Sequence, residues 1–190
     1  LAKEGWKDLV LVEKGELTSG STWHAAGQCP QMMGSYNLAK IHKESNNLYK
    51  KLEKETEQPT GFHECGSLRI AYKKEDLDWF KYVKGILDNI GAPSEIISTN
   101  EIRKVHPFIK LDGILGAFHT PDDGHTDPTS TTNAMAKGAR NYGAKIYRKN
   151  RVTDIKHLSS GEWKLITEKG DIICEHVVNA AGSYGPEVGA

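Results

Sequence analysis

Three groups of residues in this 190-residue chain have side chains and spacing suited to chemistry. The first is Glu13, the acidic residue near the end of the run DLVLVEK. A carboxylate at the end of the second strand of a doubly wound sheet is placed to hydrogen-bond a ribose hydroxyl. Strands also often end in a charged residue with no such role. The second is the segment ELTSGSTWHAAG, residues 16–27. Its glycines and small hydroxylated side chains let backbone N–H groups approach a polyanion closely. Trp23 and His24 would then stand beside whatever is bound. On composition alone, a single histidine in such a loop is more often a surface or hydrogen-bonding residue. The third is the cluster His119, Asp122, Asp123, His125 and Asp127. It has neither HxxxH nor the twelve-residue EF-hand spacing, so a turn and helix cap fit it better than a metal.

Weaker candidates follow. His63 and Glu64 could line a substrate site but read more simply as a solvated strand start. Tyr36, Met32 and Met33 come after the glycine-containing loop and read as core packing. The lysine pairs at 50–51 and 73–74 read as solvated faces. The three cysteines, Cys29, Cys65 and Cys174, are far apart and form no CxxC pair, so each is expected to be a small buried hydrophobe.

These residues need elements to hold them. Residues 1–5 read as a helix end capped by Gly5, and residues 8–14 as a buried parallel strand. A loop spans 15–27. Residues 37–58 read as an amphipathic helix with Leu38, Ile41, Leu48, Tyr49 and Leu52 on its apolar face. Residues 62–72 and 114–119 read as strands, and 75–89 as a helix stopping at Gly91. Ser98 and Glu101 form a capping box that opens a short helix ending before Pro107. Asp127 and Pro128 open a helix that ends at Gly143. Short strands are expected at 144–147, 151–158, 162–168 and 171–174, with turns at Gly161 and Lys169–Gly170. A buried strand at 176–182 closes the chain.

Acidic and basic side chains balance at 25 each, which gives no electrostatic case for a nucleic acid or membrane surface as partner. No apolar run is long enough to span a bilayer. Unpaired thiols suit a cytoplasmic setting, or the mitochondrial matrix in a eukaryote. The GxGxxG turn that normally precedes an acidic residue such as Glu13 is missing, and the sequence reads as an internal piece that begins after it.

The block LVEKGELTSGSTWHAAG resembles the dimethylglycine and sarcosine dehydrogenases, a family within the D-amino-acid-oxidase-like FAD enzymes. GSLRIA at 66–71, HTPDDGHTDP at 119–128 and VVNAAGSYG at 177–185 extend the likeness in the expected order. The resemblance implies an α/β fold: a Rossmann-like FAD-binding domain, residues 1–32 and 126–190, interrupted by an α+β substrate domain, residues 33–125. It implies that Glu13 and Lys14 contact the adenosine ribose. Gly20, Ser21, Thr22, Trp23, His24, Ala25, Ala26, Gly27 and Gln28 would run along the pyrophosphate and isoalloxazine. His24 would be joined covalently to the flavin 8α-methyl group. The backbone of Val152 would meet the adenine, with Ala181 and Gly182 in the final turn near the cofactor. Tyr184 stands where such enzymes often have tryptophan. The implied activity is oxidation of the C–N bond of a small N-methyl amino acid, dimethylglycine or sarcosine, by hydride transfer to flavin, with dioxygen or an electron-transfer protein as acceptor. No catalytic acid, base or carboxylate clamp is assigned. The rival reading is a non-catalytic FAD- or nucleotide-binding subunit of a larger assembly.

Overall fold

A computed structural model describes residues 1–189. In chain order the strands and helices are β1 (Val10–Val12), β2 (Gln28–Cys29), α1 (Tyr36–Thr56), β3 (Ser67–Ala71), α2 (Lys74–Asn89), β4 (Glu95–Ile97), α3 (Thr99–Val105), β5 (Gly116–Thr120), β6 (Gly124–His125), α4 (Pro128–Asn141), β7 (Lys145–Tyr147), β8 (Val152–His157), β9 (Trp163–Thr167), β10 (Ile172–Cys174) and α5 (Gly185–Val188). They group into two compact units, residues 1–20 with 142–189 and residues 21–141.

In the first unit β1 pairs in parallel with β7, with Leu11 opposite Ile146. Strands β8, β9 and β10 form an antiparallel meander with a bulge between Val152 and Asp154. Strand β1 is shorter than the sequence suggests and is not buried: Val10 and Leu11 are exposed. Its one sheet neighbour among the described residues is β7. The expected strand at 176–182 does not form, because a strand needs a paired neighbour. The segment makes no ladder, Val178 is 69% exposed, and the chain passes instead into a 3-10 turn, Gly182–Tyr184, and α5.

The second unit is built on the antiparallel sheet β3-β5-β4. Because side chains alternate along a strand, β5 serves two cores. Phe118 faces Phe80, Val83 and Leu87 of α2, while Ala117 joins Ile97, Ile102 and Ile114 on the other face. The Phe80 and Phe118 rings meet edge to face at 5.6 Å, the arrangement favoured by their quadrupoles. Local signals start the helices where the sequence places them. Ser98 and Glu101 close a reciprocal capping box on α3, and Asp127 Oδ1 accepts from Ser130 N at 2.6 Å as α4 begins. At the other end of α2, Lys43 Nζ donates to the carbonyls of Ile90 and Gly91 at 2.6 and 2.9 Å, a cation on a helix C-terminus.

Helix α1 forms as expected, with Leu52 buried and Leu48 and Tyr49 half-buried, but the first part of its expected apolar face is not covered. Leu38 and Ile41 are exposed, and the buried positions are Ala39, Asn46, Leu52 and Thr56. Close approach selects small side chains there: a Cβ at Gly138 of α4 would lie 3.1 Å from Thr56 Cγ2. Two further expectations fail. Cys65 is exposed, leaving Cys29 as the buried thiol and Cys174 half-buried; and Tyr36 is 49% exposed while Met32 is core. Strands β2, β4 and β6 are two or three residues long and carry no periodicity to read.

Candidate functional site

The residues singled out from sequence fall in both units. In the first, β1 delivers Glu13 to the end of the parallel pair, where its N–H donates to Tyr147 O at 2.9 Å and its carbonyl accepts from Asn150 N at 3.0 Å. The Glu13 carboxylate turns back so that Oε1 accepts from Gly15 N at 2.7 Å. The acid is thereby held half-buried at a strand end. Lys14 lies with Nζ 3.4 Å from the ring centroid of Tyr184, a cation–π contact that joins two of the expected cofactor residues across 170 positions of sequence. Val152 opens β8 at the bulge. Ala181 N donates to Asn179 Oδ1 at 3.2 Å, and Gly182 follows at φ +58°. Gly20 is exposed, with open space around its Cα.

In the second unit, residues 22–24 wind into a 3-10 turn that lies against α4. Its side chains point outward: Trp23 is 59% exposed, and the Trp23 and His24 rings are stacked at 3.8 Å with a 36° tilt. Ser21, Thr22, Ala25, Ala26 and Gln28 are also exposed. Behind this open row the backbone is held tightly. Thr126 N donates to Gly27 O at 2.8 Å. Gly27 has φ +73°, and a side chain there would overlap the Thr126 carbonyl oxygen, so glycine is required. Strand β2 then pairs with β6, Gln28 opposite His125. Within the second unit, the exposed row of small residues around the outward His24 imidazole suits a flavin; within the first, the Glu13 carboxylate at a strand end suits a ribose hydroxyl.

The aspartate and histidine cluster separates into structural parts. Asp127 caps α4, and its hydrogen bonds from Ser130 hold its carboxyl below the usual range. Asp122 lies 3.9 Å from Lys50 Nζ, which pairs at 2.9 Å with Glu64. His63 and His125 exchange two backbone hydrogen bonds. Asp123 is buried at 1% exposure. No group of three or more potential metal ligands occurs among the described residues. An open cleft of about 740 Å³ lies elsewhere in the first unit, lined by Glu16, Tyr147, Arg148, Lys149 and Lys169 among others. Glu16 pairs with Arg148 at 2.7 Å and Lys149 at 3.1 Å, and these cations keep its carboxyl below the usual range. No helix of the described residues is long and apolar enough to cross a membrane.

Sequence reasoning missed Asn46, His42 and Asp123 as supports of the loop. Their partners are 12 to 92 residues away, and the one local sign was the turn dipeptide at Asp123–Gly124.

The family model for DAO, FAD dependent oxidoreductase, matches residues 1–190. Rat mitochondrial dimethylglycine dehydrogenase is 43% identical over 189 residues, covering the whole chain and 22% of that protein. The mouse mitochondrial pyruvate dehydrogenase phosphatase regulatory subunit is 34% identical over the same length, again covering 22% of the relative. The chain thus spans about a fifth of the length of these relatives. Among solved structures, L-proline dehydrogenase from P. horikoshii superposes with a TM-score of 0.89 at 28% identity, covering 98% of this chain and 49% of that one. The fold is therefore the Rossmann-like α/β fold of such FAD-dependent oxidoreductases.

Proposed function

Because the chain belongs to the DAO family of FAD-dependent oxidoreductases, we propose that it binds FAD, covalently through His24, and oxidises the C–N bond of an N-methylated glycine derivative. The observation that carries this reading is the outward His24 imidazole on a turn of small exposed residues. Identity of 43% to a dimethylglycine dehydrogenase supports the substrate class. The division into cofactor segments, 1–32 and 126–190, and a substrate segment, 33–125, belongs to the same proposal. It is supported by the pairing of β1 with β7, which joins two distant parts of the chain.

In this reading Glu13 accepts from the ribose hydroxyls and Lys14 lies beside them, the Val152 backbone meets the adenine, and Ala181, Gly182 and Tyr184 form the final turn near the cofactor. Residues 20–28 follow the pyrophosphate and the isoalloxazine. Attachment would join a ring nitrogen of His24 to the flavin 8α carbon, the N–H and C–H hydrogens and two electrons passing to dioxygen to give hydrogen peroxide. FAD, when bound, accepts a hydride equivalent from the N-methyl carbon. The protein's part is to orient that carbon and exclude water. Dioxygen or an electron-transfer protein is the final acceptor, and the setting is cytoplasmic, or the mitochondrial matrix in a eukaryote.

The test is flavin fluorescence in a denaturing gel, on the protein and its His24→Ala variant, followed by anaerobic addition of dimethylglycine or sarcosine. The expected result is a fluorescent band lost in the variant, and bleaching of the flavin absorbance by substrate. A second reading, a flavin-fold subunit without turnover, is favoured by the 34% identity to a phosphatase regulatory subunit. A covalent band with no bleaching by any N-methyl amine would select it.

A further inference from the structure

The stretch that leaves the His24 turn is anchored at five consecutive residues. Gly27 O accepts from Thr126 N at 2.8 Å. Gln28 and Cys29 pair with His125 and Gly124. Cys29 O also accepts from the buried Asn46 Nδ2 at 2.9 Å. Pro30 O accepts from His42 Nδ1 at 2.7 Å. Gln31 N donates to Asp123 Oδ1 at 2.8 Å. Loops that serve only as connections are seldom fixed so completely.

Asp123 stands out among these anchors. It is 1% exposed, and its second oxygen accepts from Ser67 Oγ at 2.5 Å. Its own carbonyl accepts from Gly66 N at 2.8 Å. One residue therefore ties the loop exit, the start of β3 and the β5–β6 turn together. Burying a carboxylate is costly, and a turn alone does not need one. A carboxylate does supply two strong acceptors at fixed positions, and both are used on neighbouring segments. The following residues extend the grip. Gly124 is packed so closely on His63 O that a Cβ would overlap it. Thr126 holds Gly27, and α4, which Asp127 caps, lies against the 3-10 turn bearing His24.

We propose that Asp123 is a positioning residue for His24. By fixing Gln31, and through β2 the backbone at Gly27, it presents the imidazole at one place for attachment to the flavin. This rests on the reading of His24 as the flavin-bearing residue. Orientation is where small displacements matter most: a shift of about 1 Å can slow a reaction on the order of 100-fold.

The experiment uses the protein produced in the presence of FAD. It compares the parent with Asp123→Ala, which removes both acceptors, with Ser67→Ala, which spares the bond to Gln31, and with Ile102→Ala, a truncation in the other core, which contains no residue of the loop. Each variant's melting temperature is measured first, and below it three quantities are read: covalent flavin after denaturation, total bound flavin, and hydrogen exchange at residues 24–31. Asp123→Ala is expected to slow covalent attachment roughly 10- to 100-fold and to speed exchange at 27–31, while still binding flavin non-covalently. Ile102→Ala is expected to lower the melting temperature and keep full attachment, and Ser67→Ala to attach within about twofold of the parent. Should Asp123→Ala not fold, Gln31→Pro removes the same hydrogen bond from the other side and is read in the same way. A parent with covalent flavin and an Asp123→Ala or Gln31→Pro variant that attaches it equally fast overturns this inference alone. So does attachment that falls in proportion to melting temperature across all variants. A parent without covalent flavin overturns the reading of His24, and this inference with it.

Discussion

Cys29 and Cys65 differ in a way that tests the packing behind the candidate loop. Cys29 is 8% exposed, and its Sγ lies 3.4 Å from Gly27 O. Burial, and then the nearby Asp123 charge, push its thiol above the usual range. The reactive species is the thiolate, so a raised value leaves Cys29 protonated and slow at neutral pH. Cys65 is exposed. In native protein at pH 7.5 or so, iodoacetamide is expected to label Cys65 first and Cys29 only after denaturant is added, as read by peptide mass spectrometry. Fast native labelling of Cys29 would mean that the exit of the His24 loop opens readily. At this scale the sequence was informative where a residue acts on near neighbours. Asp127 as a helix cap needs only Ser130, three residues on. Asp123 was not legible as an anchor, because the N–H it accepts from belongs to Gln31, 92 residues earlier. Cys65 was misjudged because composition carries no record of which side of a turn faces solvent.

The same division between local and distant causes runs through the elements. Helices α2, α3 and α4 begin within a residue or so of their expected starts, since capping is decided inside one turn. The α3 box is nearly self-contained: Ser98 Oγ accepts from Glu101 N at 3.4 Å, and Ser98 N donates to Glu101 Oε2 at 2.7 Å. Ser98→Ala should therefore cost about 1 kcal/mol, seen as a lower urea midpoint with an unchanged slope. A loss below a few tenths would mean that packing of Ile102, which is fully buried, holds α3 unaided. The face of α1 was legible at Leu48, Tyr49 and Leu52 but not in its first turns, for the opposite reason. Hydrophobicity favours Leu38 and Ile41, whereas neighbouring elements accept Ala39, Asn46 and Thr56 at close range. Strands β2 and β6 pair with each other 95 residues apart in sequence, β6 also bridges to His63, and neither strand is long enough to show an alternating pattern. The apolar run at 176–182 has the composition of a strand but no ladder among the described residues, and a strand is a property of a pair.

Buried apolar side chains are unevenly shared between the two units. Among the described residues those under 9% exposure lie in residues 21–141, apart from Ala144. Phe80, Val83, Leu87 and Phe118 make one continuous core there, while the first unit is held mainly by the β1–β7 pair and the three-stranded meander. Local opening is cheapest where few apolar groups are buried, so the two units should differ in hydrogen exchange. Amides of α2 and β5 are expected to exchange most slowly, and those of β1, β7 and the meander at least tenfold faster, on the scale of sub-global openings. Equal protection in the meander and in α2 would mean that ladder hydrogen bonds, not apolar burial, set the stability of the first unit. FAD supplies the second arm of the measurement. A ligand that binds only the folded form adds protection in proportion to its occupancy. If Glu13, Lys14 and Tyr184 hold the adenosine half, adding FAD to protein made without it should slow exchange at residues 10–15 and 181–185 more than in α2. Riboflavin, which lacks the adenosine, should leave those segments unchanged. Protection confined to residues 20–28 with either ligand would place the flavin on the His24 loop and remove the ribose role given to Glu13.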